Sequence, residues 1–116
     1  MDFAASTPGT MMATIAAPRG AQPLEGRAAE MAVRVLKAMA HRERLAILCL
    51  LMDGALCVRE LEQRVGMRQA ALSQQLSRLR AEHIVDAERR GRFMLYSIKT
   101  PQVMAVVRAL CSELAS

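Results

Sequence analysis

Residues 57–83 read CVRELEQRVGMRQAALSQQLSRLRAEH. Two helical patterns, CVRELEQRVG and RQAALSQQLSRLRAEH, meet at Gly66 and Met67, which leaves room for a tight turn and nothing longer. That is the spacing of a helix-turn-helix. Turning Leu72, Leu76 and Leu79 toward a core puts Ala70, Ser73, Gln74, Ser77 and Arg78 on the opposite face of the second helix, with Arg68 and Gln69 at its exposed first turn. Small and amide side chains in those places can come close to base edges. A leucine pattern among basic residues also describes many solvated helices, so the helix takes its meaning from what flanks it.

Downstream, IVDAERRGRFMLYSIK reads as a β-hairpin, with Ile84 and Val85 in one arm, Met94, Tyr96 and Ile98 alternating in the other, and RRGR at the tip. Over residues 64–99 basic side chains outnumber acidic ones eight to three, and three of the arginines share that tip, where a phosphate groove would meet them. A helix-turn-helix followed by a basic hairpin is a winged helix-turn-helix. TPQVMAVVRALCSELAS then opens a last helix, with Thr100 as N-cap, Pro101 at the first helical position and a stripe of Val103, Val107, Leu110 and Leu114.

Upstream, AHRERLAILCLLMDG predicts a helix closed by Asp53-Gly54; its Leu45, Ile47, Leu48, Leu50, Leu51 and Met52 point in all directions, the mark of a buried helix. Before it, Ala28, Met31, Ala32, Val35, Leu36 and Met39 recur at helical spacing. The expected fold is therefore mainly α with a β-hairpin wing, four helices, two strands and a fifth helix in that order. The first and last helices should form a homodimer face through Met31, Val35, Val103, Val107 and Leu110, because so apolar a stripe on a lone 12.7 kDa chain would invite aggregation.

At 116 residues, 53% hydrophobic and 3% aromatic, the chain has the size and composition of one small helix-rich domain. Residues 1–24 lack a sustained period and are expected to be a flexible tail, with the domain over 25–116; Met11, Met12 and Met31 are alternative starts. Of the net charge of +5, the first thirty residues contribute −1 and the remainder +6, which favours a polyanionic partner. The stretch TMMATIAAP has no basic residue immediately before it and is interrupted by Ala-Pro, so it does not read as a signal segment, and no apolar run is long enough to span a bilayer. Three cysteines, an odd number without a close-set framework, fit the reducing cytoplasm. An enzyme is not expected: His41 and His83 sit at helix ends, and there is neither a nucleophile–base–acid set nor a Gly-rich phosphate loop. No cofactor is implied.

LKAMAHRERLAILCLL, the helix-turn-helix with its trailing Ile84-Val85, and RRGRFMLYSIK together resemble the ArsR/SmtB family of homodimeric winged-helix repressors, over about residues 28 to 114. The resemblance implies a dimer whose fourth helix reads double-stranded operator DNA in the major groove at each half of an imperfect palindrome. It also implies an inducer that lowers DNA affinity. Carried onto this chain, Arg68, Gln69, Ser73 and Gln74 are expected to contact bases or nearby phosphates, and Arg90 and Arg92 to grip the backbone from the wing. Gln75 stands where many members carry histidine, on the flank of the helix, and bears on operator preference.

The cysteines resemble two different uses within that family. GALCVREL is similar to the ELCVCDL segment of arsenic and cadmium sensors, but Arg59 replaces the second thiolate and the last helix has no histidine. No metal site of the known types is expected, and a metal(loid)-responsive repressor built on Cys57 thiolates is the alternative. Cys49 within LAILCLL, with a second cysteine in the last helix, resembles the sulfide- and persulfide-responsive SqrR/BigR-like branch, in which two thiols join through sulfur atoms. In that resemblance Cys49 and Cys111 are the sensing pair and a persulfide or other oxidant is the inducer. The branch usually has its second thiol about one turn later, near Ala115, a difference of roughly 6 Å of rise. Pairing of Cys49 with Cys57 remains open, as does a purely structural role for buried thiols.

Overall fold

In the computed structural model, which describes residues 21–115, the chain runs α1 (Gly26–Met39), α2 (Arg42–Leu51), β1 (Leu56–Cys57), α3 (Val58–Val65), α4 (Gln69–Ala81), β2 (Val85–Arg90), β3 (Phe93–Ile98) and α5 (Pro101–Leu114). Residues 1–20 of the expected tail lie outside the described residues. The turn between α3 and α4 depends on Gly66, whose left-handed backbone (φ 78°) ends α3 as a C-cap while its N–H donates to the Glu62 carbonyl. The inner face of α4 is as expected: Leu72, Leu76 and Leu79 are fully buried, in one core with Ile47, Leu48, Leu51, Leu61 and Val107.

Helix α4 stops at a Schellman motif. The Ile84 N–H reaches back to the Leu79 carbonyl (2.9 Å) and the His83 N–H to that of Arg80 (3.0 Å), with His83 in the left-handed conformation (φ 62°) that glycine usually fills. Ile84 and Leu79, both fully buried, supply the apolar contact that accompanies this motif. The motif turns the chain directly into β2, so the wing leaves α4 with a fixed exit direction.

The sheet has one strand more than the hairpin expected. β1 pairs antiparallel with β3 (Leu56↔Tyr96, Cys57↔Leu95), and β3 pairs with β2 from Val85↔Ile98 to Arg90↔Phe93, giving the order β1-β3-β2. The wing is thereby tied at its base to the start of α3. At its tip Gly91 adopts φ 62°, the positive value that a tight hairpin loop requires at that position.

Two expectations need correction. Helix α2 is not buried all round: Ile47, Leu48 and Leu51 are enclosed, whereas Leu45, Cys49, Leu50 and Met52 are half-buried, because a domain this thin covers a helix on one side only. On α5, capped as expected by Thr100 Oγ1 accepting from the Val103 N–H (3.2 Å), the stripe divides. Val107 is fully enclosed within its own chain and cannot face a partner, and Val103 is nearly so, though it still lines the apolar groove beside α1; Val106, Leu110 and Leu114 remain exposed. In α1 and the segment before it Leu24, Met31, Val33 and Leu36 are likewise exposed, and of these Leu24, Met31 and Leu36 share an apolar groove with Val106.

Candidate functional site

Helix α4 presents Arg68, Gln69, Ser73, Gln74, Ser77 and Arg78 to solvent in one exposed band. Arg68 is its N-cap residue and makes no side-chain cap bond, and the first turn holds no acid. Its free N–H groups and positive dipole end are therefore available to an anion such as a phosphate. The wing adds Arg89, Arg90 and Arg92 around Gly91. Arg90 Nε lies 3.4 Å from Glu88 Oε2, with both side chains about two-thirds exposed, so part of its charge is already met within the chain.

The first turn of α3 and the wing enclose a cleft of about 460 Å³ lined by Cys57, Arg59, Gln69, Arg92 and Tyr96, among others. Arg59, which the sequence reading noted only as a missing thiolate, thus shares a surface with the wing arginine and the first residue of α4. Nothing in its spacing signals this, because the cleft is closed by the long-range pairing of β1 with β3. Arg92 to Ala is expected to weaken binding to every duplex similarly and to lower the slope of log K against log salt by about one. Arg90 to Ala should act in the same sense but less, since Glu88 competes for that guanidinium. Titrations of duplex DNA at several salt concentrations check both, and an unchanged slope in the Arg92 variant would remove the wing from the interface.

The three thiols fall into two environments. Cys49 on α2 and Cys111 on α5 are half-buried and face each other. Burial, a hydrogen bond to the Cys111 thiol and the nearness of that second ionisable group push Cys49 up to about 11, from 9.0 for an unperturbed thiol. The one-turn displacement of Cys111 therefore does not separate the pair. Cys57 is the N-cap residue of α3: its N–H donates to Glu60 Oε1 (2.9 Å), the Glu60 half of a capping box, and this bond together with the Cys57 thiol holds the Glu60 carboxyl below the usual range. Cysteine is outside the usual set of capping residues, so this role was not legible. Among the described residues no three His, Cys, Asp or Glu side chains are grouped to hold a metal ion. His41 is the N-cap residue of α2, with its Nδ1 3.9 Å from Glu43 Oε1, and His83 serves the Schellman turn.

The raised Cys49 value has a readable consequence. Folded Cys49 keeps its proton to higher pH than an unfolded thiol, so its contribution to stability is complete below about pH 9 and is lost as pH climbs through about 11. Alkylation of folded Cys49, followed by peptide mass, should keep accelerating up to about pH 11, and Cys111 to Ala should bring that midpoint down. An Ala variant that leaves the midpoint in place would separate the two thiols.

Comparison with known proteins follows the same lines. A family description, bacterial regulatory protein of the arsR family, matches residues 41–87, from the start of α2 into β2. The transcriptional activator HlyU of Vibrio cholerae is 39% identical over 94 residues, covering 81% of this chain and 86% of that protein. Its solved structure covers 79% of this chain and 100% of its own at 35% identity, with a TM-score of 0.76. The crystal structure of the transcriptional repressor BigR from Xylella fastidiosa gives 0.71 at 34% identity, covering 76% of this chain and 90% of that one. A homodimeric winged helix-turn-helix DNA-binding domain, Mb0332 from Mycobacterium bovis, gives 0.67 at 30% identity over 72% and 78% of the two chains. No helix among the described residues is long and apolar enough to cross a membrane.

Proposed function

The chain belongs to the arsR family of bacterial regulatory proteins and is a transcriptional regulator, not an enzyme; from that premise we propose that it is a homodimeric repressor that lets go of operator DNA when Cys49 and Cys111 become joined through sulfur. DNA reading is assigned to Arg68, Gln69, Ser73 and Gln74 on each α4, with Arg90 and Arg92 on the backbone, at the halves of an imperfect palindrome. The uncovered apolar residues of α1 and α5 support dimerisation through those helices, as does the homodimeric relative. Relatives carry the titles activator and repressor alike; repression follows where the operator overlaps the promoter.

The sensing half rests on the packing of α5 against α2, with Cys49 and Cys111 both half-buried against the same core and near enough for Cys111 to raise the Cys49 pKa. Burial and the nearby Cys111 hold Cys49 as the thiol at neutral pH. Each cysteine that takes the terminal sulfur from an organic persulfide RSSH becomes Cys–SSH and releases RSH. Two such persulfides condense to a trisulfide with loss of hydrogen sulfide. Excess persulfide is the oxidant throughout. A link of this kind ties α5, on the dimer side, to α2, which packs behind the reading helix, and a coupling of about 1–3 kcal/mol would suffice for release.

The test compares reduced protein with protein treated with glutathione persulfide. Release of DNA is expected, with a peptide linking Cys49 to Cys111. Serine at either position should bind DNA and no longer respond, while Cys57→Ser should respond as the unaltered protein does. A Cys111→Ser variant that still releases DNA would sink the assignment and favour Cys49 with Cys57. Release by cadmium or arsenite that depends on Cys57 would favour the metal(loid) alternative.

A further inference from the structure

We infer that Arg44 is a positioning residue for sequence-specific reading: its guanidinium, bound to the end of α1 and to Gln75, sets the rotation of the recognition helix. Arg44 Nη1 donates to the Ala38 carbonyl at 2.9 Å, and Arg44 Nε donates to Gln75 Oε1 at 3.0 Å, both bonds being partly buried. Arg44 sits in the first turn of α2, where the helix dipole disfavours a cation, so its own helix offers no reason for an arginine there. The reason lies outside it. The Ala38 carbonyl belongs to the last turn of α1, whose carbonyls lack partners within the helix. Gln75 belongs to α4, and the two acceptors are held by one planar fork whose donors have a fixed mutual angle.

Gln75 is the neighbour of Gln74 and stands about 100° around the helix from it. A bond at that flank restrains turning of α4 about its own axis, and such turning would re-aim Ser73, Gln74 and Ser77 together. The buried side of α4 is three leucines, whose contacts are non-directional and tolerate small rotations. A directional bond supplies the restraint that they do not. Arg44 and Ala38 themselves line a crevice of about 590 Å³ between α1 and α4, whose other bridge is the exposed pair Arg34 and Glu82 at 3.8 Å, which solvent and salt weaken. The inference rests on α4 being the reading helix and does not depend on the thiol chemistry.

The test uses the full-length reduced protein, the duplex that it enriches from a random pool, and an unrelated duplex of equal length. Arg44→Lys keeps the charge but cannot reproduce the fork, and Gln75→Leu breaks the bond from the other side. Each should lower the ratio of enriched-duplex to unrelated-duplex affinity about tenfold, and the double variant should lower it no further. Melting temperature, mass in solution and salt slope should remain close to those of the unaltered protein. Gln75→Glu retains an acceptor for Nε and should keep the ratio, even though its charge weakens binding to both duplexes. The inference is overturned if neither single variant changes the ratio, if the two losses multiply to about a hundredfold, if Gln75→Glu loses the ratio as Gln75→Leu does, or if both single variants lose it only in step with melting temperature. Gln74→Ala is the control for the reading helix itself. If it leaves the ratio unchanged, the assignment of α4 fails; if it lowers the ratio while the Arg44 and Gln75 variants do not, the positioning role alone fails.

Discussion

Placing glutamate at both Val106 and Leu110 is expected to halve the mass of the protein in solution and to lower operator affinity by about a hundredfold or more. Both side chains are a little over one-third exposed on α5, and Met31 and Leu36 of α1 are 56% and 55% exposed. Val106, Met31, Leu36 and Leu24 line an apolar groove of about 740 Å³ between the two helices, and Leu110 follows Val106 one turn further along α5. In a dimer built on this face each glutamate would lose its water without gaining a partner, a cost of several kcal/mol per ion. A monomer meets one half-site at a time and forfeits the effective concentration that links the two, which is worth about 10² to 10⁴ in affinity. Sedimentation together with DNA titration checks both halves of the expectation. Val107 to Ala is the useful contrast: that side chain is buried in its own chain, so it should lower the melting temperature and leave the mass unchanged. A double glutamate variant that stays dimeric would move the interface elsewhere.

Leu76 to Ala should remove a large share of the folding free energy. Leu76 has no exposed surface and lies between Leu72 and Leu79 on the inner side of α4. Truncating a leucine in such a site costs about 2–5 kcal/mol through lost burial and the cavity left behind, against a total of about 5–15 kcal/mol for a domain. The melting temperature should fall by on the order of 10–30 °C, measured at fixed protein concentration because dimerisation adds to stability. Ser77 to Ala, next in sequence but exposed, should change stability by less than about 0.5 kcal/mol. A loss below about 1 kcal/mol at Leu76 would mean that the neighbouring core collapses onto the gap.

What could be read in advance was local. The three leucines of α4, the turn at Gly66 and the Thr100-Pro101 start of α5 are signalled by residues within a turn or two of each other, and each is where the spacing put it. Features that join distant segments were not legible. β1 is two residues long, too short for any period, and exists because Leu56 and Cys57 meet Tyr96 and Leu95. Val103 and Val107 share a stripe with Leu110, and periodicity shows that a stripe is buried without showing against what; the chain's own core takes the two valines and leaves the leucine out. Arg44 and Gln75 are thirty-one positions apart, and neither has an unusual neighbour. The choice of Cys49 with Cys111 came from resemblance and not from spacing, whereas the capping role of Cys57 had no advance signal.

The order β1-β3-β2 has a consequence for how the protein behaves when crowded. A sheet with open sides can recruit a strand from another molecule. Here one open side is only two residues long, and the other, β2, alternates Asp86, Glu88 and Arg90 along its exposed face. A foreign strand that docked there would have to desolvate charges of both signs while matching their pattern. The wing can thus stand out from the body of the domain, as a reach toward DNA requires, without offering a seed for fibrous assembly.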